Sequence, residues 1–356
     1  MRTATPQMAR AINDRLALDL LLEHGALTAP QLRALTGLSR PTVSDLIERL
    51  RTNGLIEVVG ESGEDRRGPN ARLYGIVAER AHVAGVDIRL DTVTVTVADI
   101  TGRPVGSAKR DIEAEPPAGD RPSGRSGDHL VTLIADTVAE AAGPRSMHTV
   151  VLGAPGLVDP HSGELASDNG VPGWRPNLLQ ALRRRIDAPL TLENDVNLAA
   201  VAEHRAGSAR GREDFVLLWL DKGVGAGITL GGRLRRGASG GAGEIAPLGL
   251  SRGSFCGLLG TEAVRELDRD SLAARIAQVA FTAVAVLDPG LVVLGGETGR
   301  TGGEALASRV GEYLAALSPI PTQVRASTVE GDAVLHGALF TALSAAQREV
   351  FGGVPG

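Results

Sequence analysis

Two helix starts lie close together near the N-terminus, and they leave little freedom in how the first 80 residues can fold. Thr28-Ala29-Pro30-Gln31 supplies a hydroxyl cap, a proline tolerated in the first turn and a glutamine at the capping-box position. Leu32 and Leu35 are expected on the inner face of that helix, and Gly37 breaks it. Ser39 then caps a further helix with Pro41 in its first turn. Its Val43, Leu46, Ile47 and Leu50 recur at helical spacing and form one core stripe. Asn53-Gly54 stops it. Upstream, Ile12, Leu16 and Leu20, with Leu18, Leu21 and Leu22 on the adjoining stripe, predict a helix ending at Gly25.

Two strand candidates follow, at 55–59 and 71–76, and the loop between them carries Arg66 and Arg67. Three helices and a hairpin in this order make the pattern of a winged helix-turn-helix. There the third helix enters the major groove and the wing reaches the backbone or minor groove. Outward positions of the third helix are Arg40, Thr42, Ser44, Asp45 and Arg49, preceded by Ser39. Arginine can donate two bonds to guanine, and hydroxyls can reach bases or phosphates. Candidate DNA contacts are therefore Ser39, Arg40, Thr42, Ser44, Arg49, Arg66 and Arg67. Charge alone does not decide the matter. Residues 1–80 hold eleven arginines against ten acids, a surplus of +1 that leaves −6 for the rest of a chain whose net charge is −5. The competing reading is a three-helix domain that binds protein or nothing.

From about residue 81 the chain reads as α/β. Strands are expected at 83–88, 93–100, 149–152, 190–192, 215–220, 225–230 and 291–294, with helices at 130–142, 196–206, 271–287 and 332–347. Such a mixture predicts two α/β lobes with a cleft between them. The stretch 113–127, rich in proline, glycine and charge, is expected to be a mobile loop. No short-period repeat stands out. The longest apolar run near the end, 279–287, is too short to span a bilayer, and no N-terminal signal segment is evident. A single cysteine, Cys256, excludes an intrachain disulfide and suits a reducing cytoplasm, and no membrane contact is expected.

Several segments in order resemble the ROK family (repressors, open reading frames and kinases), over residues 82–345. Leu192 through Ala200, containing Glu193-Asn194-Asp195, is similar to its sugar-site signature. Gly153-Ala154-Pro155-Gly156, Asn169 through Trp174, Gly223-Val224-Gly225-Ala226-Gly227 and Gly243-Glu244-Ile245 match further family segments. The resemblance implies a two-lobed actin-like, sugar-kinase-like body (81–356) behind a winged helix-turn-helix (1–80). It implies sugar contacts at Asn169, Asn194, Asp195 and Glu244. In the kinases the residue matching Asp195 removes the proton from the attacking sugar hydroxyl. On residue chemistry alone, Asn194-Asp195 could equally be a helix cap. Trp174 could stack on a sugar or anchor a loop.

The departures from the family sit on the nucleotide side. The kinases carry Asp-x-Gly-x-Thr, whereas this chain has Asp87-Ile88-Arg89-Leu90-Asp91-Thr92. Its second turn begins Asp221-Lys222, and Glu297 stands where a third glycine is usual. Neither ATP nor any other cofactor is therefore expected. The family's zinc histidine is Pro247 here, and only Cys256 remains of the cysteines, so no metal is expected and Cys256 is read as a buried apolar residue. The expected function is a sequence-specific DNA-binding transcriptional regulator, a repressor, whose partners are operator DNA and a sugar or sugar-derivative effector, acting as a homodimer or homotetramer without enzyme activity. The alternative is an ATP-dependent sugar kinase with a regulatory head.

Overall fold

The computed structural model describes residues 6–62, 71–113, 129–165, 169–250 and 253–352. The head comprises α1 (Pro6–His24), β1 (Leu27–Thr28), α2 (Ala29–Thr36), α3 (Arg40–Thr52), β2 (Ile56–Ser62) and β3 (Ala71–Ile76). Both predicted caps form. Thr28 Oγ1 accepts from the Gln31 amide at 3.4 Å while Gln31 Oε1 accepts from the Thr28 amide at 2.8 Å, and Ser39 Oγ accepts from the Thr42 amide at 3.4 Å. The short strand β1 is an addition to the sequence reading. It pairs Leu27 with Tyr74 and Thr28 with Leu73, and two residues are too few for an alternating pattern to register.

The apolar stripe of α1 differs from expectation. Ala17, Leu18 and Leu21 are buried, whereas Ile12 and Leu16 are 44% and 40% exposed. Only the second half of α1 reaches the small core made by Leu32, Val43, Leu46, Ile47 and Leu50. Leu35, expected on the inner face of α2, is 48% exposed, because Leu32 alone turns inward on that two-turn helix. Arg66 and Arg67, and nearly all of the loop predicted at 113–127, fall outside the described residues.

The first lobe contains β4 (His82–Ile88), β5 (Thr92–Asp99), β6 (Pro104–Asp111), α4 (His129–Ala142), β7 (Thr149–Ala154), α5 (Leu178–Leu182), β8 (Leu190–Asn194) and α6 (Asp195–Ala206). The second contains β9 (Phe215–Leu220), β10 (Val224–Leu230), β11 (Arg233–Leu234), β12 (Gly249–Leu250), β13 (Gly253–Ser254), α7 (Phe255–Leu259), α8 (Thr261–Val264), α9 (Arg269–Leu287), β14 (Leu291–Gly295), α10 (Gly296–Leu317) and β15 (Gln323–Ala326). The C-terminal helix α11 (Ala333–Val350) crosses back to the first lobe.

The two main sheets share one plan. Strand orders are β6-β5-β4-β7-β8 and β11-β10-β9-β14-β15. In each, three antiparallel strands are extended by two parallel ones. This duplication lies in topology, so a search for repeated residues does not reveal it. The edge strands β6 and β15 and the helix α10 carry no strong sequence signal. β6 faces water over much of its length. α10 contains Gly296, Gly299, Gly302 and Gly303, which weaken helix propensity, and it kinks at Gly303.

Helices α6 and α11 pack together between the sheets. Their contact needs a glycine: a Cβ on Gly337 would lie 1.9 Å from the Leu198 carbonyl oxygen. Helix α9 is long and apolar enough, by composition, to cross a membrane. Here Ile276, Ala277, Val279, Ala280 and Val284 are buried in the second lobe's core. The head's core also continues into the body. Ala81, Ile100 and Phe351 belong to it, and the Arg15 guanidinium donates to the Gln347 carbonyl oxygen at 2.9 Å. Gln347 Nε2 in turn donates to the Ile100 carbonyl at 2.9 Å.

Candidate DNA-reading face and interlobe ligand site

On α3, Val43, Leu46, Ile47 and Leu50 turn into the core, so the opposite face carries Arg40, Ser44 and Asp45 into solvent. Thr42 is half-buried, and its hydroxyl lies 2.8 Å from that of Ser39, within the cap. Arg49 does not join this face. Its Nε donates to Asp14 Oδ2 at 2.8 Å and its Nη2 to Asp14 Oδ1, tying α3 to α1. The paired carboxylate raises the arginine's pKa, against the opposing effect of its burial. Arg49, expected among the DNA contacts, is engaged in this structure as a tie between helices. An acid one helix away in space but 35 residues away in sequence gives no local signal.

The sugar-site candidates gather where β8 runs into α6. Asn194 caps α6: Oδ1 accepts from the Asn197 amide at 3.0 Å, and Nδ2 donates to the Gly156 carbonyl at 3.0 Å. Its amide is thus occupied in joining the loop after β7 to the start of α6. Asn169 lies against the same loop, with a Cβ on Gly156 reaching within 3.1 Å of its own. Asn169 Oδ1 accepts from the Val171 amide at 3.1 Å, while its Nδ2 is buried with no partner among the described residues. A buried amide without an acceptor is costly, so it marks a place for a ligand oxygen or a water.

Asp195 is the first residue of α6, and one of its oxygens accepts from the Val196 amide at 2.8 Å. Withdrawal from water raises its carboxyl to about 6, with the Glu244 charge adding to the shift and the Val196 amide and Arg89 opposing it. Glu244 is exposed but partly desolvated, which pushes its carboxyl upward. It sits on a turn pinned by Gly243, where a Cβ would meet the Ala226 carbonyl oxygen at 1.8 Å and φ is +92°. Carboxylates that accept, and an amide that can donate, are what hydroxyl recognition requires. Trp174 takes the anchor role, half-buried against the first lobe's core.

Glu193, which precedes Asn194-Asp195 in the chain, organises this end of the cleft. It is 5% exposed. Oε1 accepts from the Asn194 amide at 3.1 Å and from Asn197 Nδ2 at 3.0 Å, and Oε2 accepts from Arg236 Nε at 2.6 Å. Arg236 follows β11, so the pair ties the first lobe to the second. A carboxylate directly before Asn194-Asp195 in the same motif was the available sequence signal.

On the other side of Asp195, the turn after β4 is filled by protein charge. Arg89 Nε donates to Asp87 at 2.5 Å and Nη2 to Asp332 at 3.0 Å, while Lys222 Nζ stands 3.5 Å from Asp91. Asp87 is 2% exposed, and burial together with the Asp332 charge pushes its carboxyl upward, against Arg89. Arg89 is thus held by two carboxylates in this turn. Cys256, in α7, is half-buried rather than fully buried. Among the described residues no three His, Cys, Asp or Glu side chains gather as a metal site.

Residues 83–258 match the ROK family and residues 12–68 match the MarR family. The xylose repressor of Bacillus subtilis (strain 168) is 23% identical over 247 residues, covering 69% of this chain and 62% of that protein. The match therefore spans less than two thirds of the repressor's length. Among solved structures, a ROK family transcriptional regulator described as a homolog of the E. coli MLC protein shares 16% identity. It covers 98% of each chain with a TM-score of 0.65. A ROK hexokinase from Thermus thermophilus, 24% identical, covers 75% of this chain and 99% of its own, with a TM-score of 0.62. At these identities the solved structures show the fold alone.

Proposed function

We propose that this chain, whose residues 83–258 match the ROK family and residues 12–68 the MarR family, is a cytoplasmic DNA-binding transcriptional regulator controlled by a sugar or sugar derivative. The observation that carries this reading is the exposed pair Arg40 and Ser44 on α3. Among the described residues, no hydrogen bond or ion pair engages Arg40, so its guanidinium is free to reach a guanine edge. Ser39 and Thr42 sit at the same helix start, suited to phosphate contact. The sugar binds at Asn169, Asp195 and Glu244, with Asn194 positioning the loop after β7. The name of the Bacillus relative favours repression.

A ligand shifts operator affinity only by binding one arrangement of lobes and heads better than another. Helix-turn-helix heads read two half-sites, so the active form is a homodimer or homotetramer. The test is a gel shift with the DNA upstream of the chain's own gene, repeated with xylose, glucose and N-acetylglucosamine. Release by one sugar supports the reading and gives the sign of control. Absence of any shift at low salt refutes it.

A kinase reading draws on one observation, the raised carboxyl of Asp195, which suits a proton acceptor. Arg89 held by Asp87 and Asp332 argues for the regulator. Phosphate transfer from ATP to glucose or N-acetylglucosamine, abolished by Asp195→Asn, would reverse the preference.

A further inference from the structure

The Asp195 cluster and the head lie at opposite ends of one series of close contacts. Helix α6 begins at Asp195 and is gripped from both sides. On one side lies β10 of the second lobe, where a Cβ on Gly227 would stand 2.6 Å from that of Ala200. On the other lies α11, where a Cβ on Gly337 would stand 1.9 Å from the Leu198 carbonyl oxygen. Helix α11 is seated as closely on the first sheet. A Cβ on Gly85 of β4 would lie 2.9 Å from Leu339 and 3.0 Å from the Leu335 carbonyl oxygen. Contacts this close leave no slack, and a close-packed interior transmits a shift rather than absorbing it.

Helix α11 starts at a cavity between the lobes lined by Arg89, Trp219 and Asp332, and Asp332 caps it by accepting from the Leu335 amide at 3.1 Å. It runs for 18 residues, about 27 Å at 1.5 Å per residue. Its other end is built into the head. Arg15 of α1 donates to the Gln347 carbonyl oxygen at 2.9 Å, and its guanidinium lies over the Phe351 ring, 5.6 Å from the centroid. Gln347 Nε2 donates to the Ile100 carbonyl at 2.9 Å, and Phe351 is buried in the head's own core. The head is therefore seated on the end of α11 and does not hang from the linker at 77–81 alone.

We propose that α11 is the strut that carries the ligand state of the Asp195 cluster to the DNA-reading head, with Arg15, Gln347 and Phe351 as its positioning contacts. This rests on the regulator reading. The turn bearing Glu244 is fixed to β10, because the Ala226 amide donates to the Gly243 carbonyl at 2.9 Å. A ligand that bridges Asp195 and Glu244 draws β10 and α6 together, and α6 moves α11. A tilt of about 5° over the length of α11 moves its head end by roughly 2 Å, the scale of helix shifts in known switches. The sign of the effect follows from which arrangement the ligand binds better.

The test is operator titration of the full chain with and without xylose, glucose and N-acetylglucosamine, in wild type, Phe351→Ala and the double variant Arg15→Ala/Gln347→Ala. In wild type one sugar should change operator affinity by roughly 5- to 150-fold. Calorimetry on both variants should give that sugar's affinity within about threefold of wild type, while its effect on operator affinity falls below about threefold. Contacts that serve stability alone would weaken the operator complex equally with and without sugar. An unchanged ratio in the variants therefore overturns the strut and leaves the regulator reading standing. A wild type that binds operator but responds to none of the sugars overturns both. If circular dichroism shows that Phe351→Ala loses helix, the double variant decides, since its two positions are only half-buried.

Discussion

Helix α3 carries two arginines that sequence treats alike and that the fold separates, and substituting each to alanine tests the head directly. Arg40 is exposed and unengaged, whereas Arg49 makes two bonds to Asp14, with side chains 32% and 18% exposed respectively. A hydrogen bond to a charged group contributes about 1.5–3 kcal/mol when shielded, and an exposed ion pair contributes less than about 1 kcal/mol. Half-shielded geometry places the Arg49–Asp14 tie between these, at about 1.5 kcal/mol. With a urea m-value of about 1.5 kcal/mol/M, Arg49→Ala should lower the head's unfolding midpoint by roughly 1 M. Arg40→Ala should leave stability within about 0.5 kcal/mol, since nothing in the fold depends on it. It should instead weaken operator binding by about 1–3 kcal/mol, roughly 5- to 150-fold. The assays are urea denaturation followed by circular dichroism, and operator titration at fixed salt. A double-mutant cycle with Asp14→Ala isolates the tie. An Arg49→Ala variant of unchanged stability, with coupling to Asp14 below about 0.3 kcal/mol and lost operator affinity, would refute the division of roles.

Sugar affinity should depend on pH through Asp195, whose carboxyl is raised from 3.8 to about 6. Hydroxyl donors need the ionised form, so affinity should hold above pH 6 and fall as pH drops through it, and Asp195→Asn should lose that step and keep only the dependence due to Glu244, as calorimetry across pH would record. The same shift favours the folded state below 3.8 and ceases to do so as pH rises through about 6, because the fold holds that proton more tightly than the unfolded chain does. Gly337→Ala should destabilise the body by about 1–3 kcal/mol or more, because its Cβ meets the Leu198 carbonyl at 1.9 Å, and a thermal melt unchanged from wild type would contradict the packing of α11 on α6. Operator affinity should fall steeply with salt as phosphate contacts release counterions, and a slope near zero in log–log titration would remove phosphate contact from the head's role.

Local sequence determined the elements whose signal is local. The two caps at Thr28 and Ser39, the stripe of α3, the buried strands β4 and β7, and the cap at Asn194 follow from residues within one turn or one strand of each other. Glycine-rich α10 and the wetted edge strand β6 lack such a signal, since low helix propensity and mixed burial hide the pattern. Motif order grouped Asn169, Asn194, Asp195 and Glu244 as expected sugar contacts, and it marked Arg89 and Asp91 as departures from a phosphate turn.

Only the tertiary structure decided what those residues bond to. Arg49 meets Asp14 across 35 residues, Arg89 meets Asp332 across 243, and Glu193 meets Arg236 across 43. An ion pair depends on distance in space, and in one dimension nothing selects which of 42 acids an arginine will reach. The same holds for α11. Its sequence predicts a helix, but that one end lies at a cavity and the other against the head is set by two lobes folding around it. The chain's residue order therefore settles which chemistry is present, and the packing of distant segments settles which groups are engaged by the fold and which remain exposed.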